Sequence, residues 1–203
     1  MLHYQTINPG TLRLLKQLQA TPHLKGTRLV GGTSLALQIG HRNSVDLDLF
    51  GNVPYSGEEL RESLSTNHKL TIITESKNIK IYLLDGVKVD IVNYGYSWIE
   101  EAVSEDNLLL ASIKDIAAMK ITAIIGRGTK KDFIDIYFLL QQFSLSEILD
   151  LYLQKYPDGS LFIALKSLSF FDDAENDPMP IMFENISWGD VKQGIRDAIT
   201  SLC

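Results

Sequence analysis

The amino-acid sequence predicts an α/β fold, in which a mixed β-sheet flanked by helices is followed by a helical C-terminal part. Short β-rich runs alternate with helical periods over the first half of the 203-residue chain, and an Asp-Gly hairpin signal closes this half. Only helical periods follow. We therefore expect a mixed-sheet core at residues 1–105 and a helical region packed on it at residues 106–203.

Six elements are predicted ahead of the hairpin. Apolar residues at helical spacing indicate three helices, and β-rich runs indicate three strands. The predicted helices are 11–20, 33–39 and 56–67, and the predicted strands are 28–30, 45–50 and 70–74. The second strand alternates strictly, so Asp46 and Asp48 share one face while Val45, Leu47 and Leu49 share the other.

The predicted hairpin joins runs at 79–84 and 87–92 through an Asp-Gly dipeptide. This dipeptide favours the positive φ angles of a type I′ turn. In the second strand of the hairpin, Lys88 and Asp90 share a face. The hairpin therefore adds one more carboxylate to the sheet region.

The second half of the sequence is predicted to be helical, with an acidic, proline-containing loop at 171–180. Its apolar residues recur with helical periods. The predicted helices are 112–125, 130–142, 145–155, 159–168 and 188–202. The last third of the chain carries no motif that indicates a function.

The composition excludes several classes of protein. The net charge of −6 and the pI of about 5.2 argue against a protein that coats nucleic acid by bulk charge, although a local basic groove for one RNA end stays compatible. A single cysteine excludes an intrachain disulfide framework and a cysteine-type zinc site. No apolar run reaches the length of a membrane span and no signal peptide pattern opens the chain, so we expect a cytoplasmic protein.

Three acids on two strands form the pattern that carries chemistry. Asp46 and Asp48 lie on one strand and Asp90 on another, so the three carboxylates can share one sheet face. Like charges raise one another's pKa, and a divalent cation removes that cost. Carboxylate oxygens suit Mg²⁺ or Mn²⁺, and such ions bind the attacking and leaving oxygens of a phosphoryl displacement. The sequence therefore predicts a metal site made of these three acids.

A glycine pair, Gly31 and Gly32, ends 14 positions ahead of Asp46. It separates a predicted strand from a predicted helix, and glycine lets the backbone approach a phosphate closely. The N–H groups that open a helix attract anions, and Thr33 and Ser34 add hydroxyl donors. We predict a phosphate-binding turn followed by a metal platform.

This arrangement resembles the DNA polymerase β-like nucleotidyltransferase superfamily, whose pattern is an apolar-Gly-Gly turn, an apolar-Asp-apolar-Asp strand and a third acid on a later strand. The longer string GGTSLALQIGHRNSVDLDLF is similar to the AbiEii-type toxin nucleotidyltransferases of bacterial abortive-infection and toxin–antitoxin systems. Arg42, Ser44 and Phe50 match the pattern of that branch. The resemblance implies a nucleotidyltransferase-type sheet.

A second match to the same branch lies in the helical half. That branch has a helical lysine, then an arginine, then Lys/Arg-Asp-x-x-Asp, and this chain has Lys120, Arg127 and the string KDFID at 131–135. The resemblance implies catalytic roles for Asp46, Asp48, Asp90, Lys120 and Asp135, and nucleotide contacts for Gly31, Gly32, Thr33, Ser34, Arg42, Arg127 and Asp132.

Local structural roles compete with these functional ones. Asp46 and Asp48 can be a solvent-facing pair of acids, and Gly31 and Gly32 can form an ordinary turn. Lys120 can reach water past its apolar neighbours, and Arg127 can simply favour a helix C-terminus. Thr129 and Asp132 have the spacing of a capping box, and Asp135 has the spacing of an ion pair with the lysine four residues before it.

The family resemblance implies transfer of a nucleoside monophosphate from a nucleoside triphosphate to an acceptor, with Mg²⁺ or Mn²⁺ as cofactor. It implies an RNA 3′ end, such as that of tRNA, as the acceptor, and a toxin role opposed by a cognate antitoxin. Asp90 would also help to deprotonate the acceptor hydroxyl. Two alternatives stay open, namely transfer onto a protein hydroxyl and a nucleotide-binding regulatory protein with little turnover.

Overall fold

A computed structural model describes residues 1–202 of the chain. It confirms an α/β fold with a mixed sheet and helices. The strands are β1 (Arg28–Val30), β2 (Leu47–Gly51), β3 (Leu70–Glu75), β4 (Ile79–Leu84), β5 (Val87–Asn93), β6 (Val103–Glu105) and β7 (Leu108–Leu110). The helices are α1 (Pro9–Ala20), α2 (Gly31–Ile39), α3 (Gly57–Ser65), α4 (Ile113–Gly126), α5 (Lys130–Leu139), α6 (Leu145–Lys155), α7 (Leu161–Leu168) and α8 (Trp188–Thr200).

The chain divides into two compact units. The first unit comprises Met1–Gly40, Ser44–Gly95 and Ala102–Ala111, and it holds the sheet together with α1, α2 and α3. The second unit comprises His41–Asn43, Tyr96–Glu101 and the described residues from Ser112 onward, and it holds α4 to α8. Each unit therefore takes up segments that are separate in the sequence.

The sheet of the first unit has the strand order β3-β4-β5-β2-β1-β7-β6. β2 pairs with β5 and β1 pairs with β7 in parallel, whereas the other neighbours are antiparallel. The sheet is mixed, as predicted. The two parallel pairings bring together strands that are far apart in the sequence.

Alternation along β2 buries one face of the strand. Leu47 and Leu49 have no exposed surface and join the apolar core of the first unit, with Val89 and Ile91 of β5. The prediction that Val45 belongs to this strand and shares the face of the two leucines is wrong, and Val45 is 57% exposed. The strand begins only at Leu47, so Val45 lies before the regular alternation.

The turn between β4 and β5 has the predicted backbone. Asp85 and Gly86 take φ angles of 50° and 86°, as a type I′ turn requires. A second hairpin, between β6 and β7, was not predicted from the sequence. Its turn residues Asp106 and Asn107 also have positive φ, at 53° and 63°, and these residue types tolerate that region better than most. The Asp-Asn dipeptide is the signal that would have identified this hairpin.

A buried ion pair stabilises the second unit. Asp115 of α4 and Lys155 of α6 lie 2.7 Å apart (Oδ1 to Nζ), and neither side chain is exposed. Asp115 also accepts hydrogen bonds from the Ile99 N–H and the Ser112 hydroxyl. Burial alone would raise the pKa of Asp115, but the Ile99 N–H and Lys155 lower it below its usual value. The ionised carboxylate thus ties the 96–101 segment to the helices.

Within residues 1–202, none of the helices combines the length and the apolar character that crossing a membrane would require.

Candidate active site

Two of the three predicted acids, Asp48 and Asp90, lie on one face of the sheet in the first unit, and the third, Asp46, lies just before β2. β2 and β5 pair in parallel with Asp48 opposite Asp90, and paired strands lie about 4.8 Å apart. Asp46 precedes β2 by one residue and lies two positions from Asp48, and all three side chains are half-buried. The pairing of β2 with β5 therefore places carboxylates from two distant segments side by side.

The glycine pair begins α2 directly beside Asp48. Gly31 has a φ of 68°, and a Cβ at this position would overlap Asp48 Oδ2 and lie 3.1 Å from Asp48 Cγ. The N-cap residue Val30 makes no side-chain hydrogen bond to the helix start. The first N–H groups of a helix lack partners inside the helix, so this end attracts negative charge. Only glycine allows the backbone to come this close to the carboxylate.

Thr33 and Ser34 are buried inside the first unit. The Thr33 hydroxyl donates to the carbonyl oxygen of Asp46 and shares a 2.8 Å hydrogen bond with the Ser44 hydroxyl. The Ser34 hydroxyl accepts a hydrogen bond from the side-chain amide of Gln38. Thr33 therefore positions the backbone that carries the first acid of the set.

Lys88 pairs with the third acid. Its Nζ lies 2.7 Å from Asp90 Oδ1, and the Lys88 side chain is 39% exposed. Within residues 1–202, no group of three or more His, Cys, Asp or Glu side chains is arranged to hold a metal ion. The oxygen donors suit Mg²⁺ or Mn²⁺ in their chemistry.

Asp135, in the second unit, is a fully buried carboxylate held by three residues. Arg42 approaches it with two nitrogens, Nε at 2.7 Å from Oδ1 and Nη2 at 2.8 Å from Oδ2. His41 Nε2 lies 2.7 Å from Oδ1, and Lys120 Nζ lies 2.5 Å from Oδ2. Burial would raise the pKa of Asp135, but Arg42 and Lys120 hold it well below its usual value. The carboxylate is therefore ionised at neutral pH.

Asp132 is the second buried carboxylate of this network. Lys120 Nζ lies 3.1 Å from Oδ1, and Arg127 donates to both oxygens at 2.9 and 3.0 Å. The Thr129 hydroxyl donates to Oδ2 at 2.6 Å. Burial opposes ionisation, but Lys120 and Arg127 lower the pKa of Asp132 far below its usual value. Lys120 thus bridges Asp132 and Asp135.

These contacts decide between some of the local alternatives. The capping-box alternative for Asp132 is wrong, because Thr129 is the N-cap of α5 but makes no side-chain cap hydrogen bond. Its hydroxyl donates to the Asp132 carboxylate instead. The side chain of Lys120 is only 4% exposed, whereas that of Arg127 is 57% exposed at the C-cap of α4. Of these two basic residues, Arg127 has the accessible side chain.

His41 and Lys88 are the neighbours of the predicted acids that the sequence did not single out as site residues. His41 stands next to Arg42 in the chain, and this adjacency is the only signal for its contact with Asp135. Lys88 lies two positions before Asp90 on the same strand, which is a readable signal for an ion pair.

We predict that His41 makes folding sensitive to mild acid. Burial is the main cause that lowers the pKa of His41 below 6.5, and Arg42 and Lys120 act in the same direction while Asp135 opposes them. Within residues 1–202, the Nδ1 atom of His41 is buried without a hydrogen-bond partner, which disfavours a second ring proton. The unfolded chain gains a proton as the pH falls through about 6.5, whereas the folded chain gains it only at a lower pH.

The free energy of unfolding is therefore expected to fall as the pH drops below 6.5, by up to about 1.4 kcal/mol per pH unit. Urea titrations between pH 7.5 and 5 measure this slope in the natural protein and in a His41→Gln variant. A variant with the same slope as the natural protein would contradict the assignment to His41.

A family model described as nucleotidyl transferase AbiEii toxin, type IV toxin–antitoxin system, matches residues 13–200. The chain is also 34% identical, over 173 residues, to the uncharacterized protein aq_aa25 of Aquifex aeolicus (strain VF5). This match covers 81% of the present chain and 82% of the relative.

Two solved structures have a similar fold. The first is MenT4, a nucleotidyltransferase toxin from Mycobacterium tuberculosis H37Rv, with a TM-score of 0.62, 15% identity and coverage of 93% of this chain and 80% of that one. The second is JHP933 from Helicobacter pylori, with a TM-score of 0.57, 18% identity and coverage of 97% and 93%. At these identities the likeness shows the fold, whereas the family model spans nearly the whole sequence. The chain belongs to the nucleotidyl transferase AbiEii toxin family.

Proposed function

We propose that this protein is a metal-dependent nucleotidyltransferase that moves a nucleoside monophosphate from a nucleoside triphosphate to an RNA 3′ end, such as that of tRNA. Family membership supports nucleotidyl transfer and a toxin role. The observation that carries the proposal is the register of β2 with β5, which pairs Asp48 with Asp90 beside the glycine start of α2. A cognate antitoxin would oppose the toxin activity.

In this proposal Asp46, Asp48 and Asp90 hold Mg²⁺ or Mn²⁺. The bound cation would neutralise charge on the triphosphate and on the acids. The N–H groups at Gly31 and Gly32 donate hydrogen bonds to phosphate oxygens at the uncapped start of α2. Asp90 accepts the proton of the acceptor hydroxyl, and the freed oxygen forms a bond to the α-phosphorus. The bond between the α-phosphorus and the oxygen of the leaving group breaks, and pyrophosphate leaves.

The second unit contains the basic groups that the family pattern associates with phosphate. Arg127 has an exposed side chain, so it is proposed to bind phosphate directly. Arg42 and Lys120 are buried against Asp135. Asp132 orients Arg127 by accepting two hydrogen bonds from its guanidinium. We propose that this network keeps Arg127 extended, because a guanidinium already held in place loses less entropy on binding.

The deciding experiment incubates the purified protein with Mg²⁺, each labelled nucleoside triphosphate in turn, and total bacterial RNA. An Asp48→Asn variant runs beside it. Label in a tRNA-sized band that the variant does not produce would support the proposal and name the nucleotide. Label on protein would instead favour a protein hydroxyl as acceptor. Nucleotide binding without transfer would favour a regulatory protein, and neither binding nor transfer would refute the proposal.

A glycine substitution tests the contact between α2 and Asp48. Gly31→Ala is expected to slow transfer on the order of a hundredfold, because the new Cβ displaces the Asp48 carboxylate. Gly26→Ala is the matched control, since Gly26 also has a positive φ, 84°, but has nothing within 4 Å of the added Cβ. Both variants should lose about 1–2 kcal/mol of stability. Equal transfer rates in the two variants would show that the Asp48 contact does not matter.

A further inference from the structure

Lys88 and Asp90 form an ion pair on the acid face, the face of the sheet in the first unit that carries Asp48 and Asp90. We propose that Lys88 competes with the divalent cation for Asp90, and that its ammonium passes to a phosphate of the incoming triphosphate once the cation has taken Asp90. This inference rests on the proposed function. It assigns to Lys88 a role in coupling metal binding to triphosphate binding.

The geometry of β5 lets either the Lys88 ammonium or the divalent cation bind the carboxylate of Asp90. Lys88 and Asp90 point to the same side of the strand, and Lys88 Nζ lies 2.7 Å from Asp90 Oδ1. On β2, the register partner of Asp90 is Asp48. Asp90 therefore lies between an ammonium on its own strand and a carboxylate on the neighbouring strand. A divalent cation shared by Asp48 and Asp90 would lie close to the ammonium of Lys88. The two positive charges would then repel each other.

The side of β5 that pairs with β4 is apolar at the positions of Lys88 and Asp90. In the pairing with β4, Leu83 lies opposite Lys88 and Ile81 lies opposite Asp90, so both register partners there are apolar. The Lys88 side chain is nevertheless 39% exposed. An ammonium displaced from Asp90 would remain on the acid face and accessible to a dissolved anion. A triphosphate bound at that face supplies such an anion.

This exchange predicts opposite effects of one substitution on two ligands. Lys88→Met keeps much of the side-chain length but removes the charge. Metal alone should bind more tightly, because no ammonium has to leave Asp90. Triphosphate in the presence of metal should bind more weakly, because one cationic contact is lost. A residue that only stabilised the fold would not change the two affinities in opposite directions.

The first test measures Mn²⁺ affinity from the electron paramagnetic resonance signal of the free ion, without nucleotide. The natural protein is compared with Lys88→Met, Asp90→Asn and the double variant, and Lys16→Met, an exposed lysine on α1, is the charge control. We expect Lys88→Met to tighten Mn²⁺ binding on the order of tenfold. The same substitution should change the affinity of the Asp90→Asn protein by less than about twofold, because the competition requires Asp90.

Three outcomes of this test would overturn the inference. The first is an unchanged or weaker Mn²⁺ affinity in Lys88→Met, and the second is an equal gain in the Asp90→Asn background. The third is an equal gain in Lys16→Met, which would indicate a general charge effect. Absence of Mn²⁺ binding in every variant would overturn the metal site itself. Binding by the natural protein without a gain in Lys88→Met would overturn only the role of Lys88.

The second test uses inorganic tripolyphosphate with Mg²⁺ in a calorimetric titration, so that no choice of base is needed. We expect Lys88→Met to weaken tripolyphosphate binding several-fold, because one charge-assisted contact to phosphate is lost. Lys16→Met should leave the affinity unchanged. Equal binding by the natural protein and Lys88→Met would overturn the transfer of the ammonium to phosphate. Circular dichroism of each variant establishes that it is folded before either titration.

Discussion

Asp48→Asn is expected to reduce nucleotidyl transfer on the order of a thousandfold or more. Asp48 lies at the centre of the acid face, since it is the register partner of Asp90 and packs against Gly31. The substitution keeps the shape of the side chain and removes one negative oxygen donor. The cation would then lose a charged ligand that positions the triphosphate for attack.

The effect is measured as kcat/KM for label transfer under saturating metal. Glu62→Gln is a suitable control, because Glu62 is an exposed acid on α3 in the same unit and the change removes the same charge. The control should keep transfer within about twofold of the natural protein. A rate for Asp48→Asn within tenfold of the natural protein would remove Asp48 from the catalytic site.

Asp135→Asn is expected to cost about 3–5 kcal/mol of folding stability. Arg42 and Lys120 are buried against this carboxylate, with Nε and Nζ at 2.7 and 2.5 Å from its oxygens. An amide would leave two buried cations without their shared anion, and it would turn a donor toward one of them. The penalty for an uncompensated buried charge exceeds that for losing an ordinary hydrogen bond.

Urea denaturation of the natural protein and the variant measures this loss, and the melting temperature should fall by about 10 °C. Asp150→Asn is the matched control, because Asp150 is exposed on α6 of the same unit. The control should stay within about 0.5 kcal/mol of the natural protein. A loss below about 1 kcal/mol for Asp135→Asn would show that the buried network contributes little to folding.

The acid face could be predicted from the sequence in part. Alternation with a period of two places Asp46 and Asp48 on one side and the leucines on the other, and this holds wherever the strand is regular. The register of Asp48 with Asp90 could not be predicted, because the parallel pairing of β2 with β5 joins segments separated by α3 and two strands. Local pattern carries no information on such a pairing.

The contacts of Asp135 show the same limit. Sequence spacing suggested a partner four residues away, because a helix brings such neighbours together. The hydrogen bonds of Asp135 instead reach Arg42, 93 positions away in the sequence. Lys120 was recognisable as a lysine among apolar neighbours that needs an anion, yet its two partners follow from the packing of α4 on α5. Burial selects the partner, and burial is a property of the tertiary structure.

The placement of His41–Asn43 limits how this gene can be cut into parts. These three residues belong to the second unit, although they are encoded between α2 and β2 of the first. A fragment that begins at Ser112 would lack Arg42, and its Asp135 would face Lys120 without the arginine that donates twice to it. Division of the chain at a single junction would therefore break this network, and an exchange of the second unit between homologues would have to carry three separated pieces of sequence.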